Sequence, residues 1–77
     1  MTGKEKPTRV SLQSSSVKEA EYDQVAKTLL IVFVSGATYT YQNVPQSVYN
    51  GLLAADSAGK YLLQNVIKAN YSYTKVS

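Results

Sequence analysis

Seven tyrosines carry nearly all the aromatic mass of this 77-residue chain, beside one Phe and no Trp. Each ring brings a face and a hydroxyl, so the chemistry on offer is stacking and hydrogen bonding. Covalent catalysis is poorly served. A Ser, Cys or Thr nucleophile needs a neighbouring base, most often His, and the chain has neither His nor Cys. Ser57 and Lys60 stand at helical spacing, but Ser57 reads better as a helix cap. Glu19, Glu21 and Asp23 form the alternating charge pattern of a solvated surface rather than an acid–base pair. The sequence lacks the usual zinc ligands, an acidic calcium loop and a glycine-rich phosphate loop. It reads as a non-enzymatic binding module with no cofactor.

The spacing of the tyrosines is informative. Tyr39-Thr40-Tyr41 and Tyr71-Ser72-Tyr73 repeat a Tyr-x-Tyr pattern, which on a strand sets both rings on one face. Rings so placed stack on nucleobases, at about 1–3 kcal/mol per base in single-strand binders. The competing reading puts the rings against the core with their hydroxyls toward water. Lys60-Tyr61 falls near a helix start, where backbone N–H groups favour anions, and Lys68 follows two turns later. Convergence of Tyr39, Tyr41, Lys60, Tyr61, Lys68, Tyr71 and Tyr73 would make a small phosphate-plus-base pocket, and these seven are the candidate ligand-binding residues. For each lysine the competing role is ordinary solubilising charge. A net charge of +3, with a single Arg and scattered lysines, is mild for a protein that tracks a phosphate backbone.

The elements that must position these groups follow from periodicity. Residues 1–10 read as a flexible tail and 11–77 as a single domain. A first strand is expected through Val17 and Ala20 to Tyr22, although its alternation is poor. Thr28 to Val34 is the firmest strand, apolar at every position after Thr28. Leu29, Ile31 and Phe33 point one way and Leu30, Val32 and Val34 the other. Such a strand requires cover on both faces, and so short a chain supplies little for the second, so self-association as a homo-oligomer is expected. Ser35-Gly36-Ala37 makes a hairpin turn into the strand Ala37–Tyr41. A helix begins near Pro45, carrying Val48, Leu52 and Ala55 on one side, with Gly51 allowing close packing. A second helix is expected from about Lys60 to Ala69, capped by Asp56 or Ser57 and stopped at Asn70. The fold class is α+β, a small antiparallel sheet of three to four strands with two helices on one face. The order is β-β-β-α-α, with an optional terminal strand after Tyr71. The longest apolar run, Leu29 to Val34, is too short to span a bilayer, and no signal peptide is visible, so a cytoplasmic protein is expected.

Several of these residues together resemble the KTSC domain family, named for its occurrence at the C-terminus of some lysyl-tRNA synthetases. They are Ser15-Ser16-Val17, Tyr22-Asp23, Leu29-x-Ile31-x-Phe33, Gly36, Tyr39-x-Tyr41, Val44-Pro45 and Val48-Tyr49. Ala55-x-Ser57-x-Gly59-Lys60-Tyr61 and Tyr71-x-Tyr73 complete the pattern. Thr40 stands where similar sequences often carry a base, and Leu62-Leu63 where an aromatic followed by Asn is usual. The resemblance implies a free-standing bacterial or phage module. Combined with the tyrosines and sparse cations, it leads to a specific expectation. The chain is an oligomeric phage-type protein that sequesters a cyclic di- or trinucleotide signal in the host cytoplasm and blunts host defence. An RNA-binding module and a protein-interaction domain without a nucleotide role are the alternatives, and no membrane partner is expected.

Overall fold

A computed structural model describes residues 8–12 and 14–76. Five strands, β1 (Thr8–Ser11), β2 (Val17–Asp23), β3 (Thr28–Phe33), β4 (Thr38–Tyr41) and β5 (Tyr73–Lys75), form one antiparallel sheet in sequence order. Between β4 and β5 run the helices α1 (Gln46–Ala54) and α2 (Ala58–Leu62), the latter continuing into a π turn over Leu63–Ile67. The α+β class with two helices on one face is as expected. The sheet has one strand more than expected. The additional strand is β1, so the tail expected over 1–10 yields Thr8, Arg9 and Val10 to pairing with Tyr22, Glu21 and Ala20. Residues 1–7 lie outside the described residues.

The poor alternation of β2 has a local cause. Its register shifts between Val17 and Glu19, so a bulge at Lys18 lets Val17 and Ala20 both face the core at a spacing of three. In β3 the period holds. Leu29 and Ile31 are fully buried in one core with Val44 of the β4–α1 connection and with Leu52, Leu62 and Val66 of the helical layer. Gly36, at φ 100, turns the β3–β4 hairpin in a conformation that L side chains rarely adopt. Ser57 caps α2, its Oγ accepting from the backbone N–H of Lys60 at 3.4 Å.

Among the described residues, the other sheet face carries no helix. Register places Leu30 and Val32 there, half-buried, with Glu19 and Glu21 on one side and Thr38 and Thr40 on the other. Arg9 sits over the β1–β2 edge, 3.2 Å from Glu21 and 3.3 Å from Glu19. Val34, the last residue of the expected strand, is exposed in the turn. No helix among the described residues is long and apolar enough to cross a membrane.

Helices α1 and α2 meet at Gly51, where a Cβ would overlap the hydroxyl and ring of Tyr61. Two terms of opposite sign therefore compete at this position. Alanine favours the helix by about 1 kcal/mol over glycine, whereas overpacking costs about 1–3 kcal/mol. Gly51→Ala is expected to destabilise the protein while Tyr61 is present, and to stabilise it in a Tyr61→Ala background. Urea denaturation of the four-member double-mutant cycle reads the coupling, and additive effects would refute the contact.

Candidate functional site

Strand β4 sets Tyr39 and Tyr41 on the helix-bearing face, and antiparallel pairing brings Tyr73 opposite Tyr41 and Lys75 opposite Tyr39. The pairing extends past β5, since Gln42 N–H donates to the Ser72 carbonyl at 2.8 Å. The chain reaches β5 from the π turn through Asn70, whose φ of 62 lies in the left-handed region. That reversal is what brings Tyr71 beside the β4 tyrosines.

The rings form a connected cluster. Tyr39 and Tyr41 stack with centroids 6.3 Å apart. Tyr73 lies edge-on to Tyr39 at 5.6 Å and tilted to Tyr41 at 5.8 Å. Phe33 meets Tyr39 edge-on from the neighbouring strand. Beside the cluster is a cleft of about 580 Å³ lined by Tyr39, Tyr41, Ile67, Asn70, Tyr71, Ser72 and Tyr73. Tyr41, 5% exposed, belongs to the core and forms the floor, whereas Tyr73, 61% exposed, is a free wall. Tyr39 and Tyr71 are half-buried. The question of whether the Tyr-x-Tyr rings face core or ligand thus has a different answer at each position. Among the described residues, no charged side chain lines the cleft. A second cleft of about 560 Å³, between β1 and the end of α1, is lined by Val10, Leu52, Leu53 and Asp56 among others, with no aromatic ring.

Of the seven residues singled out by sequence, four meet in this cleft: Tyr39, Tyr41, Tyr71 and Tyr73. Tyr61 instead packs on Gly51 between the helices. Lys60 is exposed in the first turn of α2, and Lys68 is exposed where the π turn ends. Neither lysine lines the cleft. The start of α2 lies against the Ser14–Ser16 segment, where a Cβ on Gly59 would overlap Ser16 Oγ. The cleft lies at the far end of that helix, about 10 Å along the axis from Lys60 to Ile67 at 1.5 Å per residue. Sequence reading missed Ile67, Asn70 and Ser72 as lining groups. Asn70 had a signal, as a helix stop, but its role as a polar wall depends on β5 folding back beside it.

Burial raises the pKa of Tyr41 above the ordinary 10.0, with Tyr39 and Tyr73 as smaller causes. Tyr22 is shifted the same way, by burial and then Asp23, and Tyr49 by burial and then Glu21. The Tyr22 hydroxyl donates to the Val44 carbonyl, and its ring stacks on Tyr49 at 5.1 Å. An unfolded tyrosine loses its proton near 10.0 while these folded ones keep theirs. The unfolded state then binds fewer protons, and stability falls as pH rises from 10.0 through the raised folded values. Below that window the contribution is fully present. Denaturation midpoints are expected to hold between about pH 7 and 9 and to drop above about 10, with a smaller drop for Tyr41→Phe. An equal drop in both proteins would show that Tyr41 is not desolvated.

Comparison with known proteins bears on the fold and the family. A family model described as the KTSC domain matches residues 13–71. An uncharacterized protein from Stutzerimonas stutzeri is 41% identical over 68 residues, covering 88% of this chain and 96% of that protein. A lysine–tRNA ligase from Trichormus variabilis is 35% identical over 65 residues, 84% of this chain but only 11% of the ligase. The crystal structure of a KTSC domain protein from Yersinia pestis superposes with a TM-score of 0.84 at 28% identity, covering 94% of this chain and all of that one.

Proposed function

The chain belongs to the KTSC domain family, and from that premise we propose that it is a non-enzymatic module whose tyrosine cleft stacks a base of a small nucleotide. The ligand class is a cyclic di- or trinucleotide, sequestered rather than converted. In this reading the protein is of phage type and acts in the host cytoplasm to blunt a nucleotide defence signal. The observation that carries the proposal is the meeting of Tyr39, Tyr41, Tyr71 and Tyr73 around one cleft large enough for a base. Calorimetry of the full chain against a panel of cyclic di- and trinucleotides is expected to give saturable heat for at least one member. A silent panel overturns the proposal.

Self-association belongs to the same reading. Leu30 and Val32 lie half-buried on the helix-free face, and a second copy stacked there would cover them. Light scattering is expected to give a mass above 8.4 kDa at micromolar concentration, and a monomer mass removes this part.

A second reading, RNA binding, is favoured by the lysine–tRNA ligase relatives. Low salt strengthens phosphate contacts most, so filter binding there discriminates. Retention of RNA by the wild type, lost on adding salt, would favour RNA over the small nucleotide.

A further inference from the structure

We infer that the cleft chooses its ligand by the base and not by the phosphate, with Asn70 reading the edge of an adenine-type purine nucleoside. This rests on the reading of the cleft as a nucleobase site. The lining offers ring faces from Tyr39, Tyr71 and Tyr73, and one side-chain amide, that of Asn70. The amide presents a donor beside an acceptor, the complement of adenine N7 and its exocyclic amine. The Asn70 backbone is also set. Its left-handed φ of 62 is a conformation that asparagine tolerates, and its N–H donates to the Ile67 carbonyl at 3.2 Å.

Charge decides the second half. Among the described residues, no cation lines the cleft. Lys75 stands across the ladder from Tyr39 on the same sheet face, and Lys68 ends the π turn two residues before Asn70. Both are exposed, so a phosphate that leaves the cleft meets a cation only at its rim, in water. Ring stacking and one amide then supply the affinity, and the phosphates contribute little.

The test titrates adenosine, guanosine and adenosine monophosphate into the full chain at low and high salt, by calorimetry. Adenosine is expected to bind within about threefold of the monophosphate, since a phosphate outside the cleft meets only exposed cations that salt screens. Guanosine is expected to bind about tenfold more weakly than adenosine. Asn70→Gly keeps the left-handed backbone and is expected to erase that preference while leaving the stacking contribution. Binding of the monophosphate with adenosine silent, a loss of monophosphate affinity at high salt that adenosine does not share, or an intact adenine preference in Asn70→Gly would each overturn the inference. In those cases the cleft remains a nucleotide site. Silence of all three probes beside saturable heat from the cyclic panel also overturns only this inference. Silence of the cyclic panel as well overturns the base-stacking reading along with it.

Discussion

Ile31→Ala is expected to remove about 2–5 kcal/mol of stability, the range for truncating a fully buried aliphatic side chain. A domain this short has about 4–12 kcal/mol in total, at 0.05–0.15 kcal/mol per residue, so the variant loses between about a sixth of its stability and all of it. Ile31 sits at the centre of β3 with no exposed surface, packed beside Ala20, and the helical layer closes over it. Paired strands on both sides fix the backbone, which hinders collapse of the space. Leu30 is one residue away on the helix-free face and only half-buried, so Leu30→Ala is expected to cost less than about 1.5 kcal/mol in a monomer. Urea denaturation of the pair reads the difference. Equal costs at low protein concentration would contradict the assignment of the two faces. A Leu30→Ala cost that grows with protein concentration would mark the face as a subunit contact.

The second large effect concerns binding. Tyr39→Ala is expected to weaken a nucleotide ligand by about 5- to 150-fold, the equivalent of one base stack of 1–3 kcal/mol. Tyr73→Ala belongs in the same range, because its ring is the most exposed wall of the cleft. Tyr41→Phe is expected to leave affinity unchanged, since Tyr41 is core floor and its ring face is already occupied by Tyr39. Titration of the three variants checks the order. Loss of binding in Tyr41→Phe with Tyr39→Ala intact would place the ligand elsewhere.

Much of this molecule was legible in its sequence, and the misses have physical causes. The run Thr28–Phe33 declared β3 because continuous β-branched and apolar residues have few other uses in a short chain. Gly36 and Pro45 marked the hairpin turn and the start of α1 for reasons of backbone geometry alone. Strand β1 was hidden because Thr8-Arg9-Val10-Ser11 contains a single apolar residue, and what holds it is a ladder to β2 and two exposed ion pairs. The π turn was hidden too. Periodicity put Leu62, Leu63, Val66 and Ile67 on one apolar side. The wider turn instead leaves Leu63 and Ile67 exposed while Leu62 and Val66 stay buried, and it brings Ile67 to the cleft.

The candidate site divides along the same line. A tyrosine on a strand has its direction set by the period of two, so the shared face of Tyr39 and Tyr41 was legible, whereas Tyr73 joins them only because β5 pairs with β4. A lysine on a helix surface has a long flexible arm and no burial to fix it, so charge and helix position put Lys60 and Lys68 forward without fixing where their arms reach. The Ser57-x-Gly59-Lys60-Tyr61 stretch shows how a family pattern can be structural. Ser57 caps, Gly59 makes room for Ser16, and Tyr61 fills the gap over Gly51.

The account stands on one location for the ligand, and backbone amide chemical-shift mapping during a nucleotide titration reads that location directly. The largest shifts are predicted for β4, for β5 and for residues 67–72 that join the π turn to it. Shifts centred instead on Ser14–Ser16 and the start of α2, with the tyrosine cleft silent, would contradict it.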